Sequence, residues 1–342
     1  MVEVRNHIGY LTLNRPAGLN AITLSMVRTL QQHLDHWAQD PLIHAVVLRG
    51  AGDKAFCAGG DIRSLYDSYH SGDSLHQDFF VEEYALDLTI HHYRKPVLAL
   101  MDGFVLGGGM GLVQGADLRV VTERSRLAMP EVAIGYFPDV GGSYFLSRIP
   151  GELGIYLGVS GVQIRAADAL YCGLADWHLD SSKLDLLNQR LDRLHWSDSP
   201  LKDLQGLLAR LAVQTLPDAP LQALRPVIDH FFAQADVPSI VEQLRTVTIA
   251  DSHEWARSTA DLLETRSPCH GRDPGNAAPR PPVEPGTMLR PGTAPGPAVV
   301  RAWRPDGRRT RPDHRQRQDS ALESAHPGGP RRRSGGELLQ RF

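Results

Sequence analysis

The fold is decided by residues 95–148, which have the sequence KPVLALMDGFVLGGGMGLVQGADLRVVTERSRLAMPEVAIGYFPDVGGSYFLSR. The apolar residues 97–100 have the length of a buried strand. Gly107, Gly108 and Gly109 follow them, ahead of a segment that is compatible with a helix. A strand that leads into a glycine-rich helix start leaves backbone N–H groups unpaired, and glycine lets a carbonyl group approach them closely. The stretch therefore predicts a place that can hold a developing oxyanion.

Two carboxylates and a second glycine turn accompany this stretch. Glu131 lies in a Met-Pro-Glu segment, and Asp139 lies in a Pro-Asp-Val-Gly-Gly segment. A lone triple glycine is more often a turn or a close packing contact, and a single loop acid is usually a solvated charge. Upstream, however, AFCAGGDI at residues 55–62 is another glycine turn that follows an apolar strand, residues 45–48. Two N–H groups from separate turns can hold one carbonyl oxygen from two directions, which favours the oxyanion interpretation.

In order and spacing, the segments AFCAGGDI, GGGMGL and MPEVAIGYFPDVGG resemble the crotonase (enoyl-CoA hydratase/isomerase) superfamily, and in particular its 3-hydroxyisobutyryl-CoA hydrolase branch. The resemblance extends over residues 3–268. It implies an α/β fold, a crotonase-like spiral of ββα units with a C-terminal helical region. It also implies an acyl-CoA substrate, with coenzyme A as part of the substrate and no metal or other cofactor.

The same resemblance assigns expected roles to five residues. The Gly60 and Gly108 N–H groups are expected to form the oxyanion hole, and Ala58 and Asp61 to lie near the adenine end of coenzyme A. Glu83 falls where the hydrolase branch carries an active-site glutamate, although on its own it has the pattern of a solvated helix residue.

The sequence also departs from the wider family pattern. Many members carry a lysine at the position of Ala17, which cannot contact a phosphate, so Arg15 is only a candidate for that contact. Hydratases place one carboxylate two residues after the triple glycine, where Gly111 stands here and cannot perform acid–base chemistry. Glu131 keeps the second hydratase position, and Asp139 stands where hydratases typically carry glycine. This rearrangement disfavours hydration and favours hydrolysis.

We therefore predict hydrolysis of a 3-hydroxyacyl-CoA thioester, with 3-hydroxyisobutyryl-CoA of valine catabolism as the leading substrate. Glu131 is the catalytic nucleophile or general base. Asp139 is expected to bind the substrate hydroxyl and to orient Glu131. An enoyl-CoA hydratase or isomerase, and an inactive remnant that binds CoA thioesters, are the alternatives.

Composition and cysteine content narrow the remaining classes of protein. The formal net charge is −3, and there is no signature of nucleic-acid binding. Cys57, Cys172 and Cys269 are too few and too scattered for disulfides or zinc, which indicates a reducing compartment. Cys57 is predicted to be a buried thiol rather than a nucleophile. The N-terminus has no signal, presequence or membrane span, so we predict a cytoplasmic protein with no membrane partner. We predict that the chain can form a homo-oligomer.

Three segments follow from the pattern along the chain: a crotonase-like core at residues 1–180, a helical region at 181–267 and a tail at 268–342. Residues 66–78 within the core are polar and contain two histidines without a further ligand nearby, which predicts a mobile surface segment rather than a metal site. The tail is dominated by Pro, Arg and Gly and is predicted to be disordered. Our hypothesis for this change is a reading-frame shift near Ser267, which translation of the DNA in the other frames would test.

Overall fold

The computed structural model describes residues 1–213, 218–247 and 250–266. The predicted disordered tail, 268–342, lies outside the described residues, as does the proposed frame shift near Ser267. The predicted boundary at residue 180 between core and helical region stays a prediction.

Strands from the first two thirds of the chain form two sheets. The described residues contain nine strands: β1 (Val2–Arg5), β2 (Ile8–Leu13), β3 (Ala45–Gly50), β4 (Ala55–Cys57), β5 (Val97–Met101), β6 (Phe104–Leu106), β7 (Leu118–Val121), β8 (Arg126–Ala128) and β9 (Trp177–His178). The larger sheet has the strand order β1-β2-β3-β5-β7-β9, and the smaller has the order β4-β6-β8. The β1–β2 hairpin is antiparallel, and every other pairing is parallel.

The strands alternate between the sheets in a repeating unit. A strand of the larger sheet is followed by a short strand of the smaller sheet and then by a helical segment, and this order occurs after β3, after β5 and after β7. The parallel strands are apolar on both faces because both faces are covered; all five residues of β5 are buried. The predicted spiral of ββα units is confirmed.

Helices surround these sheets and form the C-terminal part of the described chain. The described residues contain twelve α-helices: α1 (Leu24–Gln39), α2 (Ile62–Ser71), α3 (Leu75–His91), α4 (Gly108–Gln114), α5 (Gly142–Leu146), α6 (Leu153–Ser160), α7 (Ala166–Tyr171), α8 (Leu184–Leu191), α9 (Pro200–Leu211), α10 (Pro220–Phe232), α11 (Val237–Arg245) and α12 (Ala250–Arg266). The hydroxyl of Thr23 accepts a hydrogen bond from the Met26 N–H, so Thr23 caps the N-terminus of α1.

Residues 66–78 lie largely on the surface, as predicted, and they are mostly helical; the mobility of this segment stays a prediction. Its first part belongs to α2 and its last part to α3, and a short connection between them is fixed by Ser68, Asp73 and His76. The Ser68 hydroxyl lies 3.0 Å from the His76 ring and also contacts the Asp73 carboxylate. The polar groups of this segment therefore satisfy one another locally.

The helices from α8 onward pack over the spiral through two hydrophobic cores. Helices α8 and α9 cover the outer face of the larger sheet, where Leu187 and Leu207 share a core with Leu98. Helices α10 to α12 join the main core, which contains Phe232 and Leu263. The predicted homo-oligomer stays a prediction.

Candidate active site

Two glycine turns, one after β4 and one after β6, lie side by side. Gly59 has a φ of +96°, which a residue with a side chain rarely adopts. A methyl group placed on Gly59 would lie 3.8 Å from the nitrogen of Gly108 and 3.4 Å from the carbonyl oxygen of Leu106. The first turn is also tied to the segment before α1, because the Ile22 N–H donates to the Gly59 carbonyl at 2.8 Å. The structure therefore brings the two predicted turns together.

The N–H groups of Gly60 and Gly108 have no hydrogen-bond acceptor within the part of the chain that the structure describes. Gly60 forms a parallel bridge with Ile22, but the bridging bonds use the neighbouring N–H of Asp61 and the carbonyl of Gly59. Gly108 is the first residue of α4, where a helical N–H has no partner inside the helix. Both amides are available to a ligand.

Glu131 lies against the second glycine turn. It is the first residue of a short 3₁₀ helix, Glu131–Ile134, and its Oε1 would lie 2.5 Å from a methyl group placed on Gly107. Its Oε2 is buried and has no hydrogen-bond partner among the described residues. Burial raises the pKa of Glu131 to about 8, and the charge of Asp139 acts in the same direction. The side chain is thus a weakly solvated carboxyl beside the unpaired amide of Gly108.

Asp139 is held by Tyr84, a residue that sequence reasoning missed. The Tyr84 hydroxyl donates a hydrogen bond of 2.6 Å to Asp139 Oδ2. Burial raises the pKa of Asp139, although the Tyr84 hydrogen bond opposes the shift. The backbone after Asp139 is strained at Val140, a β-branched residue with a φ of +41°, while the next residue, Gly141, adopts its φ of +82° freely. Strain of this kind is common where a loop must aim a functional side chain.

Glu83 is buried. Its own sequence pattern predicted a solvated helix residue, and that prediction is wrong. Its side chain is 2% exposed, and its Oε1 occupies the space that a side chain on Gly108 would need. Burial, together with the charges of Asp139 and Glu131, raises the pKa of Glu83 well above its usual value. The structure therefore places Glu83, Glu131 and Asp139 around the Gly107–Gly108 turn.

A fourth acid of this cluster, Asp87, also escaped the sequence analysis. It lies one helical turn after Glu83 on α3, it is 2% exposed, and neither carboxyl oxygen has a hydrogen-bond partner among the described residues. A methyl group on Gly111 would lie 2.6 Å from its Oδ2. The available signal for Asp87 was its place on α3. The buried residues of this helix form one stripe: Phe79, Glu83, Leu86, Asp87 and Ile90.

The residues expected near the adenine end of coenzyme A lie beside the first glycine turn. The Ala58 N–H donates to the Leu19 carbonyl at 3.0 Å, and Asp61 caps α2. Arg15 forms an ion pair of 2.9 Å with Asp61. Partial burial alone would raise the pKa of Asp61, but hydrogen bonds from Arg15 and Ser64 outweigh it and lower this pKa. Arg15 is therefore already paired, and a contact with a phosphate would compete with this ion pair.

Cys57 lies in the first glycine turn, close to Glu83 and Asp87, whereas His70 and His76 lie on α2 and α3. Cys57 is buried, and burial raises the pKa of its thiol to about 12, which does not suit a nucleophile. The imidazole of His76 contacts Ser68, and that of His70 packs against Tyr66.

Comparison with known proteins places the chain in a family. The family profile described as enoyl-CoA hydratase/isomerase matches residues 8–271. The chain belongs to this family. Among curated relatives within it, the 3-hydroxyisobutyryl-CoA hydrolase of Xenopus laevis is 48% identical over 266 residues, 76% of this chain and 67% of the relative. The enzyme of that name from Rattus norvegicus is 44% identical over 272 residues, 78% and 69% of the two chains. The predicted likeness to this branch is confirmed.

Solved structures of the enoyl-CoA hydratase/isomerase family show the same fold. A carnitinyl-CoA dehydratase from Mycobacterium thermoresistibile has a TM-score of 0.71 at 37% identity, with 78% of this chain and 75% of that chain covered. An enoyl-CoA hydratase from Rhodobacter sphaeroides has a TM-score of 0.70 at 35% identity, with coverage of 79% and 75%.

The names of the curated relatives bear on location. These hydrolases are named as mitochondrial, which does not support the predicted cytoplasmic location of this family member. In the described ranges, none of the helices combines the length and the apolar character needed to span a bilayer.

Proposed function

We propose that this chain hydrolyses a 3-hydroxyacyl-CoA thioester, with 3-hydroxyisobutyryl-CoA as the leading substrate and without a cofactor beyond the coenzyme A of the substrate. One observation carries the proposal: the buried Glu131 carboxyl lies against the turn that presents the unpaired Gly108 amide. The names of the curated relatives support the reaction class.

The two glycine amides provide the first step. In this proposal the Gly60 and Gly108 N–H groups donate hydrogen bonds to the thioester carbonyl oxygen, on which negative charge develops as the carbonyl carbon is attacked. Such donors contribute about 3 kcal/mol each when they are aimed at the oxyanion in a water-poor site. Ala58 and Asp61, beside the same turn, would then contact the adenine end of coenzyme A.

Glu131 provides the second step by one of two routes. As a nucleophile, its carboxylate oxygen bonds to the carbonyl carbon, the carbon–sulfur bond breaks, and coenzyme A leaves as a thiolate that takes up a proton. Water then cleaves the resulting anhydride. As a general base, Glu131 instead removes a proton from the attacking water. A single turnover in ¹⁸O-labelled water distinguishes them, because only the covalent route places label in the Glu131 carboxyl.

Asp139 and Glu83 complete the proposed site. Asp139, held by Tyr84, is suited to accept a hydrogen bond from the substrate 3-hydroxyl while it orients Glu131. Glu83, packed beneath Gly108, supports the turn that carries the amide.

A thiol-release assay across acyl-CoA esters tests the proposal directly. We expect turnover of 3-hydroxyisobutyryl-CoA, with lower kcat/KM for the matched isobutyryl-CoA, which lacks the hydroxyl. A hydroxyl that pairs with buried Asp139 is expected to be worth tenfold or more, about 1.5 kcal/mol. Equal rates for the two esters would contradict a site built for the hydroxyl, and no thiol release from any ester would contradict the hydrolase.

The solved structures favour a second candidate function, hydration of an enoyl-CoA, because two similar proteins are named as a dehydratase and a hydratase. Gly111 argues against it, since a carboxylate side chain at that position would overlap Asp87 and Val140. Loss of absorbance on incubation with crotonyl-CoA, at a rate above the thiol release, would favour the hydratase.

The pH dependence of kcat/KM follows from the environment of Glu131. Either route needs the carboxylate form, and burial raises the pKa of Glu131 to about 8. We expect kcat/KM to rise about tenfold per pH unit below this pKa and to rise no further once Glu131 is ionised, because kcat/KM reports ionisation in the free enzyme. Initial rates corrected for spontaneous thioester hydrolysis measure this profile. A flat profile between about pH 5.5 and 8 would contradict the predicted role of Glu131.

Asp139 distinguishes a hydrolase from a single-acid isomerase. We expect Asp139→Ala to lower kcat for hydrolysis by about 10²-fold, because Glu131 and the substrate hydroxyl both lose their alignment. Tyr84→Phe, which keeps the acid and removes only its 2.6 Å hydrogen bond, is expected to cost about tenfold. An isomerase needs Glu131 alone, so double-bond migration that survives in Asp139→Ala would favour the isomerase.

A further inference from the structure

Asp87 is the buried acid that the proposed mechanism does not use. Both of its oxygens are buried without a hydrogen-bond partner within the described residues, and its Oδ2 would lie 2.6 Å from a methyl group on Gly111. Glu83, four residues earlier on the same helix, fills the corresponding space beside Gly108. Helix α3 therefore packs two carboxyls into two gaps that glycines leave in the first turns of α4.

The surroundings of Asp87 are acidic or neutral. The charges of Glu83 on α3 and of Asp139, on the loop before α5, both act on Asp87, and the Cys57 thiol on β4 lies within electrostatic range of Asp87 and Glu83. Helix α4, with the sequence GGMGLVQ, contributes no titratable side chain. His91, one turn further along α3, packs its ring against Tyr144 and His92.

Neighbouring buried carboxyls in such surroundings do not all ionise. Removing a carboxylate from water without a partner is costly, and a second negative charge nearby adds to the cost. In the favoured state the Glu83–Asp87 pair therefore keeps a proton. A protonated acid is also a hydrogen-bond donor, and residues four apart on a helix are neighbours.

We propose that Asp87 is a positioning residue: it stays protonated in the working enzyme, fills the gap at Gly111 and donates a hydrogen bond that fixes the Glu83 carboxyl beneath the Gly108 amide. The role rests on the proposed thioester hydrolysis and adds a residue to it. Asp87 is too deeply buried to touch substrate, and its carboxyl occupies the space that the Cβ of a side chain at position 111 would need. It therefore acts through Glu83.

Three variants test this role, with thiol release from 3-hydroxyisobutyryl-CoA as the assay. Asp87→Leu keeps the branched shape of the side chain but removes the donor, and we expect kcat to fall about tenfold or more while KM changes less than about twofold. Asp87→Asn keeps a donor, so kcat is expected to recover to within about threefold of the wild-type value. The control is Asp168→Asn. Asp168 is a buried acid that accepts a hydrogen bond from the Leu221 N–H on α10, and its substitution should leave kcat unchanged.

The pH profile and infrared spectrum give readouts that a packing role alone does not change. In the wild-type chain kcat should decline at alkaline pH, as the Glu83–Asp87 pair loses its proton, and Asp87→Asn should weaken this decline. The infrared difference spectrum between wild type and Asp87→Asn at neutral pH should contain the C=O stretch of a protonated carboxylic acid.

The outcomes separate this role from the proposed function. An inactive wild-type chain overturns the hydrolase and with it the role of Asp87. An active wild-type chain whose Asp87→Leu variant has unchanged kcat and pH profile overturns the positioning role alone. Absence of the carboxylic-acid band in the difference spectrum overturns the protonated state, whatever the kinetics show.

Discussion

Glu131→Gln is expected to abolish thioester hydrolysis and to stabilise the fold. Glutamine cannot act as nucleophile or base, so kcat should fall by at least about 10³-fold. Stability should change in the opposite direction, because the pKa of Glu131 is raised from 4.5 to about 8 by burial. Stability from such a raised pKa is fully present below 4.5 and is lost as the pH rises through 8. Uncharged glutamine removes this loss, a gain on the order of 5 kcal/mol at alkaline pH.

Urea unfolding at pH 5 and pH 8, beside the thiol-release assay, measures both effects. The wild-type chain should lose stability between these pH values, and Glu131→Gln should lose less. Glu242→Gln is the matched control. Glu242 is an exposed acid on α11, and its substitution should change neither activity nor stability. A variant that keeps more than about a tenth of wild-type activity would remove Glu131 from the chemical step. Equal stability of variant and wild type at pH 8 would contradict the buried, raised-pKa carboxyl.

Gly108→Ala is expected to have the second-largest effect, on kcat/KM. The new methyl group would overlap Glu83 Oε1 and would lie 3.4 Å from Ile22 Cδ1, so the turn must move and carry its amide away from the oxyanion. Loss of one oxyanion donor lowers kcat by about 10²- to 10³-fold. Overpacking of a filled site should also lower the free energy of unfolding by about 1–3 kcal/mol.

Gly206→Ala is the control for this substitution. Gly206 lies inside α9, and the nearest atom to an added methyl group is 3.9 Å away on the flexible side chain of Arg210. Alanine there should stabilise the helix by about 0.5–1 kcal/mol and leave kcat/KM unchanged. If Gly108→Ala is as active as Gly206→Ala, the Gly108 amide does not bind the oxyanion.

The glycine turns could be predicted because their chemistry is local. A strand followed by several glycines permits few structures, and Gly59, with its φ of +96°, shows why a side chain was not acceptable there. The order and spacing of the two turns also carried the family resemblance, and through it the fold. Glu131 and Asp139 could be singled out because they follow these turns in fixed segments.

The acids on α3 could not be predicted by the same reasoning. An isolated helical acid normally faces water, and the burial of Glu83 depends on space that Gly108 leaves on another element. The same holds for Asp87 and Gly111. Tyr84 was missed because its hydrogen bond spans 55 residues of sequence, and no local pattern indicates a pairing of that range.

The most direct measurement is a crystal structure of the Glu131→Gln variant with 3-hydroxyisobutyryl-CoA bound. We expect the thioester carbonyl oxygen to lie about 2.7–3.1 Å from the amide nitrogens of both Gly60 and Gly108. Residue 131 should face the carbonyl carbon, and Asp139 should contact the substrate hydroxyl. A thioester carbonyl that contacts neither amide, or an acyl group in a cavity remote from residue 131, would contradict the proposed hydrolase site.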